Sequence, residues 1–427
     1  MRILSTRDTP LPDVIRLLTP SESDLRQQEE IVRGILQRVR SEGDAAVREL
    51  SARFDGGEYP GHPVPERAFQ EAESAVSGRY REAVEHSIRN LTAFHEKQIP
   101  RSWLDSFEDG TLMGQQVRPL DRVGLYAPGG EASYPSTVLM TAVPARVAGV
   151  PDVVLCSPAR YLTPEVLVAA RAAGVSRVYP IGGAHAIGAM AYGTESIPKV
   201  DKICGPGGTF VVLAKRLVFG EVGIESLPGP SEVLVLADEG APADWIAADL
   251  IAQAEHGGAD HAAPCVLATP SEALASAVSA AAEARLLELS RGDLAGQNLS
   301  AMGVILVTRD LLEACDFCNL MAPEHLQVMT RDPWALLPAI RHAGAIFLGD
   351  YSAVPLGDYL AGPSHVLPTQ RTGRFSSPLS VDDFVKKSSL IYSSPASTAA
   401  MAADAALLAD TEGLTAHAAS IRARLGQ

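Results

Sequence analysis

The sequence predicts an α/β protein built on two parallel sheets, with helical extensions at its N- and C-termini. Three observations carry this expectation. From about residue 120, short apolar runs alternate with segments of helical periodicity, the pattern of strand–helix–strand units on a parallel sheet. Glycine clusters sit directly after several of those runs. The 427 residues also exceed what one ordinary core holds, so two or three packed units are expected.

Taken in order, residues 1–22 are proline-rich and are expected to form an arm. Residues 22–55 and 66–98 read as helices. EEIVRGILQRV repeats apolar residues at helical spacing. Pro65 and Glu66 open VPERAFQEAESAV as a helix start. This helical region ends before Pro100. VGLYAP then leads into a helix over 135–149, VVLCSP into TPEVLVAARAAG, RVYPIGG into AHAIGAMAYG, and KICGPGG into a helix through VVLAKRLV. EVLVLAD, a helix through ADWIAADLIAQAEHG, PCVLATP, a helix over 271–290, GVILVTR, a further helix and AIFLGDY follow. Two sheets account for these strands better than one very wide sheet. The last 50 residues, from SVDDFVKKSS to LTAHAASIRARL, are helical in pattern. The expected division is an arm over 1–22, a first sheet domain over 23–122 and 233–379, a second over 123–232, and a helical tail over 380–427.

Composition narrows the function. The chain is 46% hydrophobic and 20% charged, with a mean hydropathy of +0.08. No apolar run is long enough to span a bilayer, and the opening MRILSTRDTPLPD has no continuous apolar core of the signal-peptide kind. A net charge of -15 argues against a general nucleic-acid binder, because nothing offsets phosphate repulsion. The five cysteines are sparse and odd in number, which points to reduced thiols in the cytoplasm. Cys315 and Cys318 form a CxxC, but inside the helical LLEACDFCNLMAP, with no second CxxC, so helix packing explains them.

Three loops, YAPGGE, IGGAHA and CGPGGTF, place glycines at strand ends. Glycine there lets backbone approach a ligand, and helix N-termini attract phosphate. None is a GxGxxG, so each loop alone reads equally as a tight turn; together they favour a ligand. Among the histidines, His62, His86 and His95 are expected at the surface, and His342 in a helix-like AIRHAGAI. Gln253 and His256 in QAEH are three apart, hence neighbours on one helix face. That spacing feeds one metal ion or simply ends a helix, with His256 near the negative end of the dipole. Glu255, Asp260 and His261 are read as surface. Glu324 and His325 in APEHLQV are an acid/base pair or surface decoration. Asp358 and His365 sit in the loop region following AIFLGDY, a ligand position if they lie at the strand's carboxyl end. Glu412 and His417 lie in TEGLTAH. Gln253, His256, Asp358 and His417 make a mixed N/O donor set suited to catalytic zinc, though such distances in sequence prove no set.

From residue 25 to its end the chain resembles the histidinol dehydrogenase family. The carriers are VGLYAPGG, STVLMTAVPARVAGV, GTESIPKVDKICGPG, GPSEVLVLAD, DLIAQAEHG, APEHL, GDYLAGPSHVLPT, SVDDF and LTAH, in that order. The resemblance implies two Rossmann-like domains with small terminal extensions in an intertwined homodimer. It implies oxidation of L-histidinol to L-histidine through L-histidinal, reducing two NAD+, with one zinc per subunit. Carried over by residue, it makes Gln253, His256, Asp358 and His417 the zinc ligands and Glu324 and His325 the catalytic pair. Ser231, His365 and Glu412 match substrate-contacting positions, with Gln253, His256, His325, Asp358 and His417 also lining the substrate site. Tyr126, His185 and Gly208 match positions that contact NAD.

Two of those positions depart from the family. His185 stands where GGAQAI usually has Gln, and Gly208 where GPGN usually has Asn. A lost hydrogen bond costs about 0.5–1.5 kcal/mol net, so weaker NAD binding is expected rather than none, and His185 can replace the Gln as a donor. Two alternatives stay open at this point: a related zinc/NAD dehydrogenase of another polar alcohol, and a zinc-binding paralogue with impaired NAD binding. A zinc hydrolase is disfavoured because there is no HExxH and the glycine loops would be idle.

Overall fold

The computed structural model describes residues 1–19, 25–129, 133–227, 229, 231–257 and 263–425. The chain divides into two compact units, one of residues 1–98 and 120–384, the other of residues 99–119 and 385–427.

The first unit contains both parallel sheets. The larger has six strands in the order Arg2–Ser5, Gly303–Val307, Cys265–Thr269, Val233–Ala237, His325–Met329 and Ala345–Leu348. The smaller has five, in the order Arg177–Tyr179, Asp152–Cys156, Arg122–Tyr126, Lys202–Cys204 and Gly223–Ile224. All pairings in both are parallel. Their central strands are buried on both faces, as in VLVLA and CVLAT, which is why they read as unbroken apolar runs rather than alternating ones.

Side-chain alternation still sorts each strand between two cores. Val233, Val235, Leu267 and Ile305 pack with the helices Ala243–Ala254, Glu272–Leu286 and Gly292–Met302. Leu234, Leu236, Leu326 and Val328 pack on the opposite face with Leu11–Leu18 and Leu311–Met321. His325 and Gln327 therefore point to the first of these faces. Gln327 Nε2 confirms this by donating to Asp249 Oδ2 of helix Ala243–Ala254 at 2.8 Å.

The structure redraws the expected boundaries in three places. Residues 1–22 were expected to form an arm, but Arg2–Ser5 pairs with Gly303–Val307 as the edge strand of the larger sheet, and Val14, Ile15 and Leu18 enter its core. RILS is short and its partner lies some three hundred residues away, so no local pattern announces it. The helices Leu25–Glu42, Asp44–Phe54, Glu66–Ala75 and Gly78–His95 pack with the smaller sheet, not with the larger one as the expected division had it. The expected helical tail over 380–427 begins with a short 3-10 turn and a strand, Val385–Tyr392.

That strand belongs to the second unit. It pairs antiparallel with Leu112–Pro119, which pairs in turn with Trp103–Ser106. The helices Pro395–Thr411 and Thr415–Ala423 complete the unit. Ser394 caps the first of them by accepting from Ser397 N, and its hydroxyl donates to the carbonyl of Asp109.

Cys315 and Cys318 lie in the helix Leu311–Met321, both buried and unpaired, and burial pushes the Cys315 thiol up to about 11. His62 and His86 are exposed, as expected. His342 lies in coil rather than helix. His95 is not at the surface but fully buried at the end of helix Gly78–His95. Its Nδ1 donates to Gln98 Oε1 at 2.7 Å, and its Nε2 has no partner among the described residues.

Burial holds the His95 pKa below its ordinary value. In the unfolded chain the ring takes up a proton near pH 6.5, whereas the folded ring resists it. Below that pH the unfolded state binds more protons, so stability falls with falling pH. Urea midpoints measured from pH 7.5 down to 5 are expected to drop more steeply for the wild type than for His95→Gln. Parallel curves would contradict this.

Candidate active site

In a parallel strand buried on both faces, a polar side chain is most easily accommodated at the ends. His325 opens the strand His325–Met329, level with Val233 on one side and Ala345 on the other. It is 4% exposed. Its Nδ1 lies 3.1 Å from the carbonyl oxygen of Glu232, and its backbone N–H donates to the same oxygen at 3.2 Å. A carbonyl only accepts, so the ring carries its proton on Nδ1 and leaves the Nε2 lone pair open. Nε2 has no hydrogen-bond partner among the described residues, and Asp358 Oδ1 stands 3.9 Å away. Burial holds the ring's pKa down, partly offset by Asp358, so the neutral imidazole is the resting form.

Glu324 is also buried. Its Oε2 accepts from Ser231 Oγ at 2.6 Å and from Glu232 N at 3.0 Å, and lies 3.5 Å from His325 Nδ1. Burial nonetheless pushes its pKa up to about 8, against the opposing pull of those two hydrogen bonds. Glu232 behaves alike: burial and then the Glu324 charge raise it to about 8, while its Oε1 accepts from Gln370 N at 3.1 Å. Two acids and an imidazole thus share one desolvated corner, the acids raised to about 8 and the imidazole lowered.

The expected donors of the first unit converge on the same edge. Gln253 is buried near the end of helix Ala243–Ala254, and its Nε2 has no partner among the described residues. His256 follows that helix and is exposed to solvent on one side. Desolvation, and then repulsion from His325, lower its pKa. Asp358 lies in the short helix Val354–Tyr359, and burial raises it to about 6. The chain leaves the carboxyl end of Ala345–Leu348 and returns through this helix. Asp358 therefore faces the amino end of the strands, contrary to the carboxyl-end position expected from sequence. His365 joins it: Nδ1 donates to the Asp358 carbonyl at 3.1 Å, and Nε2 lies 3.4 Å from Thr137 Oγ1 of the smaller sheet's helix Pro135–Ala148. Burial pushes its pKa down to about 4.

Glu412 and His417 belong to the second unit. Glu412 follows the helix Pro395–Thr411 and His417 sits on Thr415–Ala423, both exposed. Asp260 and His261 lie outside the described residues, and Glu255 is half-buried. Among the described residues no three histidine, cysteine or acidic side chains stand together at metal-binding distances. The donors of the first unit are an amide, one imidazole and one carboxylate. The orphaned Gln253 amide can present its oxygen by simple rotation; burial favours the neutral imidazole of His256, the form that binds a metal, and a cation would draw Asp358 back to the carboxylate against the pull of burial. This donor chemistry fits a zinc ion.

The smaller sheet contributes its carboxyl edge. Tyr126 is buried, and its hydroxyl accepts from Gly183 N at 2.9 Å. His185 is 1% exposed and turned inward. Its Nε2 meets Asp55 Oδ2 at 2.9 Å, with Ser51 Oγ at 3.3 Å. Gly208 stands at the N-cap of helix Thr209–Val218, whose first N–H groups are unused by intrahelical bonds. Sequence reading passed over Glu232, Thr137, Asp55, Lys215 and Glu225. The acidic residue at the head of the apolar run VLVLA was a visible signal for Glu232; the others had none, because their partners come from distant segments.

The family model for histidinol dehydrogenase matches residues 18–425. The histidinol dehydrogenase of Aquifex aeolicus is 49% identical over 99% of this chain and 99% of its own length. That of Bacillus subtilis is 48% identical over 94% of each. Among solved structures, histidinol dehydrogenase from Elizabethkingia anophelis superposes with a TM-score of 0.93 at 32% identity, covering 100% of this chain and 98% of the other. With the fold, the acid–imidazole corner and these relatives in agreement, the chain belongs to the histidinol dehydrogenase family.

Proposed function

We propose that the protein oxidises L-histidinol to L-histidine through L-histidinal, reducing two NAD+, with one zinc ion per subunit held by Gln253, His256, Asp358 and His417. The observation that carries this reading is His325. Its Nδ1–H is committed to the Glu232 carbonyl, which leaves Nε2 as a desolvated base open to the pocket. When bound, the zinc supplies a Lewis acid that anchors and polarises the amino alcohol.

His325 Nε2 takes the hydroxyl proton as hydride leaves the carbinol carbon for the nicotinamide. The resulting aldehyde has no hydroxyl to lose, so it first adds water. Glu324, whose pKa burial raises to about 8, accepts a proton from that water in its carboxylate form, while the His325 imidazolium returns its proton to the aldehyde oxygen and becomes neutral again. His325 then takes a hydroxyl proton of the hydrate as the second hydride leaves for a second NAD+, giving the carboxylic acid. His365, fixed between Asp358 and Thr137, and Ser231, bonded to Glu324, hold the walls against which the substrate is oriented. Keeping both oxidations in one pocket keeps the reactive aldehyde enclosed. Tyr126, His185 and Gly208 shape the loops that receive NAD.

We further infer a homodimer whose sites draw on both chains. Glu412 and His417 are exposed on the second unit. That unit also exposes Leu390, Ile391, Tyr392, Leu407, Leu408 and Leu414, an apolar surface that a second copy would cover. Free, buried cysteines suit a cytoplasmic enzyme, and no helix among the described residues is long and apolar enough to cross a membrane.

Purified protein with L-histidinol and NAD+ is expected to yield about two NADH per substrate, lost on chelation and restored by zinc. A yield near one, or indifference to chelators, would count against the reading. Replacing His325 with Ala should slow both oxidations by roughly 10²–10⁴-fold, the usual contribution of a general base. Glu324→Gln should slow aldehyde oxidation more than alcohol oxidation; equal losses would remove its assigned role. Mixing inactive His325→Ala and His417→Ala subunits should restore activity, since each mixed dimer then holds one intact site. No recovery after confirmed exchange would place all ligands in one chain.

A further inference from the structure

Two buried carboxylates stand behind the glycine loops of the smaller sheet. Asp55, 4% exposed at the end of helix Asp44–Phe54, accepts from Gly182 N at 3.0 Å and pairs through the same oxygen with His185 Nε2. Glu225, its side chain 2% exposed, accepts from Gly205 N at 2.7 Å and pairs with Lys215 Nζ at 2.7 Å. Lys215 is fully buried and also donates to the Gly205 carbonyl at 3.0 Å. In each case one carboxylate oxygen holds a glycine N–H and a basic side chain at once.

The loops leave no room for slack. A Cβ on Gly182 would lie 2.3 Å from Pro158 Cγ, and one on Gly205, whose φ is +127°, would lie 2.1 Å from the Tyr126 carbonyl oxygen. Tyr126 spans the two loops, with its hydroxyl on Gly183 N and its backbone against Gly205. A buried Lys–Glu pair such as Lys215–Glu225 adds little stability over apolar residues of the same size. The constant feature of the two pairs is geometric: both fix a strand-end glycine at the carboxyl edge of the smaller sheet.

We propose that the Asp55–His185 and Glu225–Lys215 pairs are twin clamps that set the shape of the two glycine loops for the dinucleotide's phosphates, so that His185 is a positioning residue behind the loop, not a group touching the cofactor. The proposal rests on the NAD-dependent reading above. It also accounts for His at position 185: imidazole Nε2 reaches Asp55 as an amide donor would.

The test uses zinc-loaded, full-length protein. NAD+ affinity is measured by calorimetry, hydrogen exchange is followed over 180–186 and 204–209 without cofactor, and kcat and KM are measured for both substrates. Asp55→Ala and His185→Ala are expected to weaken NAD+ binding roughly tenfold or more, the scale of a lost charge-assisted hydrogen bond. Exchange in the first loop should speed up, with kcat at saturating NAD+, KM for histidinol and zinc content within about twofold of wild type. Asp55→Asn and His185→Gln should restore most of the affinity. Glu225→Gln should show the same pattern in the second loop, and it carries the test if Asp55→Ala does not fold. Unchanged NAD+ affinity in these variants, or equal loss of histidinol and NAD+ binding, would overturn the clamps. Failure of the wild type to bind NAD+ at all would instead overturn the cofactor reading, while faster loop exchange in the variants would still show the clamps at work.

Discussion

The bond from His325 Nδ1 to the Glu232 carbonyl is the contact on which the rest of the site depends. It ties the starts of two neighbouring parallel strands, fixes the tautomer of the ring, and aims Nε2 away from the sheet. Glu232 N simultaneously donates to Glu324, so the backbone of one residue orients both members of the acid–imidazole pair. Strands with both faces buried cannot hold such polar groups in mid-strand without heavy desolvation. At the strand ends, backbone groups left over from the ladder are available to satisfy them.

The two sheets use opposite edges. The larger presents the amino ends of its strands, because Asp358 and His256 arrive there from helices that run back from the carboxyl side. The smaller presents its carboxyl ends, where Gly182, Gly205 and Gly208 stand. His365, bonded to Asp358 and within reach of Thr137, joins the two within one unit. The two edges differ in chemistry: buried acids and the His325 imidazole crowd one, while on the other the N–H groups of Gly182, Gly183 and Gly205 are held by Asp55, Tyr126 and Glu225.

Burial shapes the electrostatics throughout. Glu324, Glu232 and Asp358 are raised and His325, His256 and His365 lowered, all with desolvation as the leading cause. Burial thus favours the uncharged form of every one of these groups, acid and imidazole alike. In a solvated cleft the same residues would sit near their ordinary values, as separate charges. The buried pairs behind the glycine loops follow a different logic, with each carboxylate matched by a donor at hydrogen-bond distance.

Local chemistry in the sequence determined a great deal. The apolar runs, the helical spacings and the strand-end glycines marked both parallel sheets, because burial on two faces writes itself into consecutive residues. The motifs QAEH, APEH and GDYLAGPSH pointed to polar residues that the fold brings to one edge of the larger sheet. Only the tertiary structure decided which edge of the larger sheet they share. The reversal through Val354–Tyr359 depends on packing, not on any residue in GDYLAGPSH. Only the tertiary structure joined Leu112–Pro119 to Val385–Tyr392 and Arg2–Ser5 to Gly303–Val307, since a strand's partner is invisible when hundreds of residues intervene. It also turned His185 inward. Sequence could place that ring in a glycine loop, but Asp55 comes from another segment, and a hydrogen bond between distant segments exists only once the chain has folded.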